Sequence, residues 1–165
     1  MKFDFIDIKY KDDLYGIWSD KETIKFTNIK EPCTYDECES RINIFLNNQL
    51  RLVDKTIFAV IENNTVCGIV GCPLIDKEQN VFGFFYQLNR NYWNKGIGYK
   101  SASMLIDYMR EKYCPCVLWA DVVEKNTASI KILNKLGFSR VKENVNAFKR
   151  DGKLYNVIDF NMRIE

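Results

Sequence analysis

Residues 88–109, "LNRNYWNKGIGYKSASMLIDYM", decide the fold, because a glycine pair, Gly96 and Gly98, stands where an extended run ends and a helical pattern begins. Apolar residues recur at helical spacing after the pair, which predicts a helix. The first amides of a helix have no partner inside it, and its N-terminus is electropositive. A phosphate group fits such a site, and glycines let the backbone come close to it.

Two well-known phosphate loops do not match this stretch. The dinucleotide fingerprint needs a third glycine where Ser101 stands, and a Walker loop needs a G-x-x-x-x-G-K-S/T pattern that Gly96 does not complete. The glycine pair therefore belongs either to another class of phosphate-binding loop or only to a tight turn between strand and helix.

The composition predicts one globular domain over residues 1–165. Hydrophobic residues make up 47% of the chain and charged residues 28%, enough apolar material for a substantial core. No apolar run approaches the roughly 20 residues of a membrane span, and the N-terminus lacks the pattern of a signal peptide. With a net charge of +2 and no dense basic block, we expect a cytoplasmic protein with no membrane or nucleic-acid partner.

The cysteine and histidine counts restrict the chemistry. Six cysteines without a secretion signal predict free thiols, and we expect no metal site because the chain has no histidine. The missing histidine also excludes Ser-His-Asp and Cys-His hydrolases and a histidine base. Proton transfer must use carboxylate, tyrosine, lysine, cysteine or water.

Four helical segments are predicted from apolar spacing and end signals. They are 11–26 with a break near Ser19 and Asp20, a helix opened by Thr34 and Glu37, a helix after the glycine pair, and one from Asn126 to Gly137. Thr34 and Glu37 have the spacing of a capping box. Asn126 is a favoured N-cap residue, and Gly137 is a favoured C-terminal stop.

Strand patterns fill the remainder of the chain. Strands are predicted at 2–10, 55–62, 65–75, 81–88 and 116–122, followed by a closing hairpin around the turn of Asp151 and Gly152. The three runs between 55 and 88 are expected to form one antiparallel meander. A right-handed crossover through the glycine-pair helix makes part of the sheet parallel. The prediction is a mixed α/β (α+β) fold with a mostly antiparallel twisted sheet flanked by helices.

Two separated motifs carry a resemblance to a known family. The stretch "YWNKGIGYKSASMLIDYM", followed about thirty residues later by "NTASIKILNKLGF", resembles the GNAT family of acetyl-CoA-dependent N-acetyltransferases. The first helix and the closing hairpin are similar to the RimJ/RimL-like, ribosomal-protein-alanine and spermidine-type branch. The resemblance covers nearly the whole chain and implies transfer of an acetyl group to a primary amine by direct attack on the thioester.

The resemblance also implies which residues contact acetyl-CoA. Backbone amides in the loop would cradle the pyrophosphate, and the preceding strand would pair with the pantetheine arm. Trp93 stands where the family usually has Gln or Arg, which matters little because backbone amides do the binding. The contacts implied are Gln87, Leu88, Asn94, Lys95, Gly96, Ile97, Gly98, Tyr99 and Asn126.

The catalytic groups of the family are only partly present. Leu133 occupies the position of the family's general-acid tyrosine, so Ser129 or a bound water is the candidate proton donor, with Asn126 beside it. Gly83 stands where related chains carry a glutamate base. A water chain or a carboxylate such as Glu22 or Glu124 would replace that base. A backbone amide near Leu88 would stabilise the developing oxyanion.

The acceptor is open at this stage. Candidate pocket residues are Trp18, Phe26, Tyr35 and Phe84, all equally explicable as core aromatics. A peptide or protein N-terminal α-amine is mildly favoured, because it needs less help to lose its proton than a lysine-like amine. A polyamine or an aminoglycoside is the alternative acceptor. An acetyl-CoA-binding module without turnover and a structural domain are the alternative functions. Monomer and homodimer are both compatible with the chain.

Overall fold

The computed structural model describes residues 1–50 and 52–165, which contain five α-helices and nine β-strands. The helices are α1 Lys11–Trp18, α2 Lys21–Ile24, α3 Tyr35–Gln49, α4 Ile97–Tyr113 and α5 Thr127–Leu136. The strands are β1 Lys2–Phe5, β2 Ile57–Glu62, β3 Thr65–Gly71, β4 Leu74–Asp76, β5 Val81–Gly83, β6 Phe85–Leu88, β7 Cys116–Val123, β8 Ser139–Arg150 and β9 Lys153–Ile164. The predicted mixed α/β class is confirmed.

The strands form two sheets that are antiparallel except at one pair. The first sheet has the order β1-β2-β3-β6, and the second has the order β4-β5-β7-β9-β8. The parallel pair is β5 with β7, in which Gly83 lies opposite Trp119. This pair confirms that the chain crosses over through α4 to reach a parallel neighbour.

The sheets separate at Phe84, which corrects the predicted meander. The run 65–75 divides into β3 and β4, and the run 81–88 divides into β5 and β6. The Phe84 amide still donates to the Trp119 carbonyl at 2.6 Å. The next residue, Phe85, instead lies opposite Gly71 of β3. Strand periodicity shows that a run is extended but does not show its partner, so the strand pattern alone did not reveal the gap that opens between β6 and β7, although the family resemblance implies a splayed sheet centre there.

The first strand is shorter than predicted. It ends at Phe5, and residues Ile8–Tyr10 form a 3₁₀ turn. The Asp7 side chain accepts a hydrogen bond of 2.9 Å from the Lys9 amide. This local bond turns the chain out of the extended conformation, as aspartate side chains often do.

The local end signals are confirmed. The capping box of Thr34 and Glu37 is formed at the start of α3. Asn126 caps α5, and Gly137 ends it with a φ of +92°. The closing hairpin turns at Asp151 and Gly152, both with positive φ, as a tight Asp-Gly hairpin turn requires.

Two apolar clusters hold the elements together. The larger packs α4 and α5 against one face of the sheets, with Leu105, Met109, Leu118 and Phe160 fully or almost fully buried. The smaller joins α1 and α3 to β2 and β3 around Trp18. The gap between β6 and β7 therefore has helices on both sides.

Candidate functional site

Two cavities meet along the gap between β6 and β7. One, the glycine-loop cavity, has a volume of about 620 Å³ and is lined by residues of the loop 92–99 and the start of α5. The other, the aromatic cavity, has a volume of about 550 Å³ and is lined by residues of α3, β7 and the loop 26–29. The residues that line both cavities, called the junction below, are Phe26, Thr27, Tyr86, Gln87, Asn126 and Ser129.

The N-terminus of α4 opens into the glycine-loop cavity. Gly96 is its N-cap, with a φ of +75°. The first bond of the helix runs from the Lys100 amide to the Gly96 carbonyl at 3.1 Å. The amides of Ile97, Gly98 and Tyr99 precede it and so have no partner within the helix. These donors and the helix dipole make an anion-binding site.

The two glycines serve different purposes. A Cβ added to Gly96 would have no atom within 4 Å, so it would project into open space that a bound group would fill. A Cβ on Gly98 would lie 3.3 Å from Ile132 Cδ1 and 3.5 Å from Leu88 Cδ1. Gly96 therefore supplies the left-handed turn and an open cradle, whereas Gly98 allows α4 and α5 to pack closely.

The charge of the glycine-loop cavity also suits an anion. Lys25, Lys125 and Lys131 line it, against one acidic side chain, Glu22. The Lys25 Nζ lies 3.9 Å from a Glu22 carboxylate oxygen, so this pair is close to neutral. The remaining lysines leave the cavity positive, as a diphosphate requires.

The edge of β6 that faces the gap offers unpaired backbone. The Asn89 amide donates to the Cys67 carbonyl at 2.9 Å, so the backbone N–H of Asn89 points toward β3. The backbone N–H and C=O groups of successive residues in a strand point to opposite sides. Those of Tyr86 and Leu88 therefore point away from β3, into the gap. The Trp93 indole donates to the Leu88 carbonyl at 3.0 Å from that side. An extended ligand can pair with the amides that remain.

The side chains of β6 divide between the two faces of the gap. Gln87 accepts a hydrogen bond of 2.7 Å from the Trp18 indole. Phe85 stacks on Phe45 at 5.5 Å between ring centroids. On the other face, the Tyr86 hydroxyl donates to the Ser129 carbonyl at 3.4 Å. Burial raises the pKa of Tyr86 to about 12, so its hydroxyl keeps a proton at neutral pH.

The predicted catalytic residues Asn126 and Ser129 both lie at the junction. The Asn126 side-chain oxygen accepts a hydrogen bond of 3.3 Å from the Ser129 amide, so its amide nitrogen remains as a donor. Leu133, one turn further along α5, puts an apolar wall on the aromatic cavity. The hydroxyl groups at the junction are therefore those of Tyr86, Ser129 and Thr27.

The residues predicted to contact the coenzyme are mostly brought together. Around the glycine-loop cavity lie Gln87, Leu88, Asn94, Gly96, Gly98, Tyr99 and Asn126. Lys95 does not line it, and its Nζ lies 5.5 Å from the centre of the Tyr92 ring. The Ile97 side chain is buried in the larger core, so only its backbone amide faces the loop.

Three of the four predicted acceptor residues line the aromatic cavity, namely Trp18, Phe26 and Phe84. Tyr35 lines neither cavity and is 45% exposed at the start of α3. Its hydroxyl donates to Asp12 at 2.5 Å, and the Lys11 Nζ lies 3.7 Å from its ring centre. The sequence predicts that Tyr35 lies at the start of a capped helix. It does not show whether the tyrosine ring turns toward the cavity or toward the surface.

The two carboxylates considered as bases are separated. Glu22 lines the glycine-loop cavity. Glu124 lines neither cavity and accepts a hydrogen bond of 3.3 Å from the Asn156 amide. Among the described residues that line the aromatic cavity, Asp121 supplies the one carboxylate.

Sequence reasoning missed Asp121 and Arg41, and it named Tyr86 only in the strand expected to pair with the pantetheine arm. The signal for Asp121 was a charge inside the buried strand "CVLWADV", and the signal for Arg41 was a charge beside the apolar stripe of α3. Both line the aromatic cavity. Tyr86 falls in a run of aromatic residues, so its position at the junction appears only in the fold.

One arginine holds the loop 24–30 that walls both cavities. The Arg150 guanidinium donates to the carbonyls of Thr27 at 2.9 Å, Ile29 at 2.8 Å and Lys30 at 2.5 Å. A single cation from the closing hairpin thus satisfies several carbonyls of an irregular segment.

Other features of the described residues agree with a folded chain of free thiols. All six cysteines are unpaired, as predicted, and Cys114 is the exposed one. None of the helices in residues 1–50 and 52–165 combines the length and the apolar character that crossing a membrane requires.

Comparisons with known proteins agree with this geometry. A family model described as an acetyltransferase (GNAT) domain matches residues 5–139. An uncharacterized N-acetyltransferase p20 of Bacillus licheniformis is 32% identical over 160 residues, which cover 95% of this chain and 89% of that protein.

Solved structures share the fold at low sequence identity. A RimL ribosomal L7/L12 alpha-N-protein acetyltransferase in complex with coenzyme A has a TM-score of 0.87 at 13% identity, covering 98% of this chain and 93% of its own. A ribosomal-protein-alanine N-acetyltransferase of Brucella melitensis has a TM-score of 0.82 at 18% identity, covering 99% of each chain. The microcin C7 self-immunity acetyltransferase MccE, in complex with acetyl-CoA and AMP, has a TM-score of 0.84 at 18% identity, covering 98% and 91%.

Proposed function

The chain belongs to the GNAT acetyltransferase family, and we propose that it transfers the acetyl group of acetyl-CoA to a primary amine, either a peptide or protein N-terminal α-amine or a small amine. The main observation in support of this function is that the two cavities meet at the junction. One cavity has the donors and charge for a diphosphate, and the other is an aromatic chamber that ends at the same six residues.

The residues fit the coenzyme on this chain's own geometry. The open cradle at Gly96 and the free amides of the first turn of α4 would hold the pyrophosphate. The open edge of β6 at Tyr86 and Leu88 would hold the pantetheine arm as an added strand. Acetyl-CoA supplies an activated acyl thioester, whose carbonyl carbon an amine attacks as the thiol leaves.

Leu88, which lines the glycine-loop cavity, and the junction residues next to it would supply the remaining chemistry. The Leu88 amide points into the gap and can donate to a developing negative oxygen. Asn126 lines the same cavity, and its side-chain amide nitrogen is free to donate. The hydroxyls of Ser129 and Tyr86 are the candidate proton donors to the departing thiolate, and the Tyr86 hydroxyl, whose pKa burial raises to about 12, is protonated at neutral pH.

A product assay with a parallel binding measurement distinguishes acetyl transfer from coenzyme binding without turnover. Purified protein is incubated with acetyl-CoA and a mixture of amines, and the products are weighed by mass spectrometry. We expect an acetylated amine, a gain of about 42 mass units for one acetyl group replacing one hydrogen, which is characteristic of acetyl transfer. Parallel thermal unfolding should show stabilisation by acetyl-CoA, because a ligand that binds only the folded state raises its stability.

A binding module without turnover is the second candidate function. Leu133, which places an apolar side chain on the catalytic wall, favours it. Stabilisation by acetyl-CoA without any acetylated amine would support that candidate. Neither stabilisation nor product would contradict both functions and leave the glycine pair as a turn.

A further inference from the structure

The aromatic cavity carries one positive and one negative side chain, on different walls. Arg41 belongs to α3, together with the neighbouring lining residues Ile44 and Phe45. Asp121 belongs to β7, the strand that borders the gap. Among residues 1–50 and 52–165, neither side chain takes part in an ion pair. Two unpaired charges of opposite sign therefore face one chamber.

The surface between these charges is apolar. The aromatic residues lining the chamber are Trp18, Phe26, Phe45, Phe84, Phe85, Tyr86 and Trp119. A volume of about 550 Å³ lies within the range of small-molecule sites. The chamber thus suits a compact ligand with an apolar body.

We propose, as an inference that rests on the transferase function above, that the preferred acceptor is a small amine that also carries an anionic group, such as an amino acid. Its ammonium lies toward Asp121 on β7, and its carboxylate or a similar anion is bound by Arg41 on α3. Guanidinium groups match planar carboxylates with two parallel hydrogen bonds.

The same charges argue against a polyamine. A polyamine carries several positive charges. Each ammonium that enters the cavity loses its hydration, and this cost is not compensated unless a carboxylate pairs with it. The described lining offers Asp121 alone, and Arg41 repels a second cation. An amine without an anionic group would leave the Arg41 guanidinium without a partner, whereas an amine that carries a carboxylate would pair with it.

The test compares amines that carry different charges beside the amine that is acetylated. Phenylalanine, phenylalanine amide, phenethylamine and spermidine are acetylated in parallel, and kcat/KM is measured for each. The amide has the less basic amine, so it has more neutral amine at pH 7 and starts with an advantage. We expect phenylalanine to exceed the amide by about tenfold or more, the range of one charge-assisted contact.

Variants then locate the anion contact. Arg41→Gln should lower kcat/KM for phenylalanine by about tenfold while the amide stays within about twofold, because only phenylalanine carries the partner of the lost charge. Arg110→Gln is the matched control, since Arg110 pairs with Asp107 on the outer surface of α4. It removes the same charge and should change neither probe. Asp121→Asn should weaken both phenylalanine and phenethylamine.

A binding readout keeps the test independent of turnover. Trp18 and Trp119 line the chamber, so their fluorescence should change saturably when phenylalanine is added to the protein with coenzyme A lacking the acetyl group. Arg41→Gln should shift this change to phenylalanine concentrations about tenfold higher, and Arg110→Gln should leave it unshifted. Equal or better binding of the amide or spermidine, or an unaffected Arg41→Gln, would overturn the acceptor class. If binding depends on the anion but no amine is acetylated, the transferase function is contradicted and the anion-binding site at Arg41 is supported.

Discussion

The Trp18 indole and the Gln87 side chain are joined by a hydrogen bond of 2.7 Å that spans 69 residues of sequence. Trp18 ends α1 and is almost fully buried, and Gln87 lies on the open strand β6. Gln87 lines both cavities. The bond therefore fixes the wall of the aromatic cavity to the strand that is proposed to hold the coenzyme.

Trp18→Phe should destabilise the protein by about 2–4 kcal/mol, because it leaves the Gln87 oxygen without its donor and opens space in the smaller core. Trp93→Phe is the matched control. It also removes an indole hydrogen bond, to the Leu88 carbonyl at 3.0 Å, but Trp93 is 38% exposed. Water can replace that donor, so the expected loss is about 1 kcal/mol. Chemical denaturation measures both, and equal losses would contradict the assigned role of burial.

Gly96→Ala should cost about 1–2 kcal/mol of stability, because a side chain is strained at a φ of +75°. Gly152 on the closing hairpin has the same φ and equally open surroundings, so Gly152→Ala should cost the same. Only Gly96→Ala should weaken acetyl-CoA binding, by about tenfold or more, because its methyl group fills the cradle. Thermal unfolding with and without acetyl-CoA measures both effects. An unchanged affinity of Gly96→Ala would remove this loop from the coenzyme site.

Arg150→Ala should destabilise the protein by about 2–4 kcal/mol, since several carbonyls of the loop 24–30 lose a charged donor at once. Arg150→Lys should recover about half of that loss, because one ammonium cannot reach all the carbonyls. Arg140→Ala removes an exposed arginine paired with Glu143 and should cost less than about 1 kcal/mol.

The loop that Arg150 holds lines both cavities, so KM for the amine should rise in Arg150→Ala more than kcat falls. Steady-state kinetics of the three arginine variants would check this. A KM that stays at the parent value in Arg150→Ala would show that the loop forms without the guanidinium.

Stability should fall as the pH rises from about 10 to about 12. Burial raises the pKa of Tyr86 to about 12, above the ordinary tyrosine value of 10.0. Between these values the unfolded chain loses the phenolic proton while the folded chain keeps it, so the unfolded state is favoured. The contribution of Tyr86 is about 3 kcal/mol, fully present below pH 10 and lost as the pH rises to 12.

Tyr86→Phe should flatten this alkaline decline but not remove it, because the parent and the variant share Tyr108, a partly buried tyrosine whose pKa burial also raises to about 12. Urea unfolding at a series of pH values measures the slope. The same slope in both proteins would show that Tyr86 is not desolvated.

One thiol should react with a disulfide reagent in the native protein and all six after unfolding. Cys114 is exposed, whereas the other five cysteines are buried. Burial raises the pKa of Cys38 to about 12 and that of Cys116 to about 11, so few thiolates form at neutral pH. Cys114→Ser should abolish the fast native reaction. Fast labelling of two or more thiols in the folded protein would contradict the burial.

The features that the sequence predicted well are governed by neighbours along the chain. The capping box of Thr34 and Glu37, the helix between Asn126 and Gly137, and the Asp-Gly hairpin each depend on hydrogen bonds or dihedral angles within a few residues. The glycine pair belongs to the same group, because a free helix N-terminus and a left-handed residue are local facts. The geometry of the loop proposed to bind the coenzyme could therefore be predicted from the sequence.

The features that the sequence missed depend on distant partners. Three features depend on segments far apart in the chain: the division of the run 81–88 between two sheets, the exclusion of Tyr35 from the aromatic cavity, and the placement of Arg41 and Asp121 on the walls of that cavity. An aromatic residue in an amphipathic pattern is apolar in the same way whether it lines a cavity, fills a core or covers a surface. Only the packing of α1, α3 and the two sheets decides which of these occurs, because burial is a property of the neighbours in space and not of the residue itself.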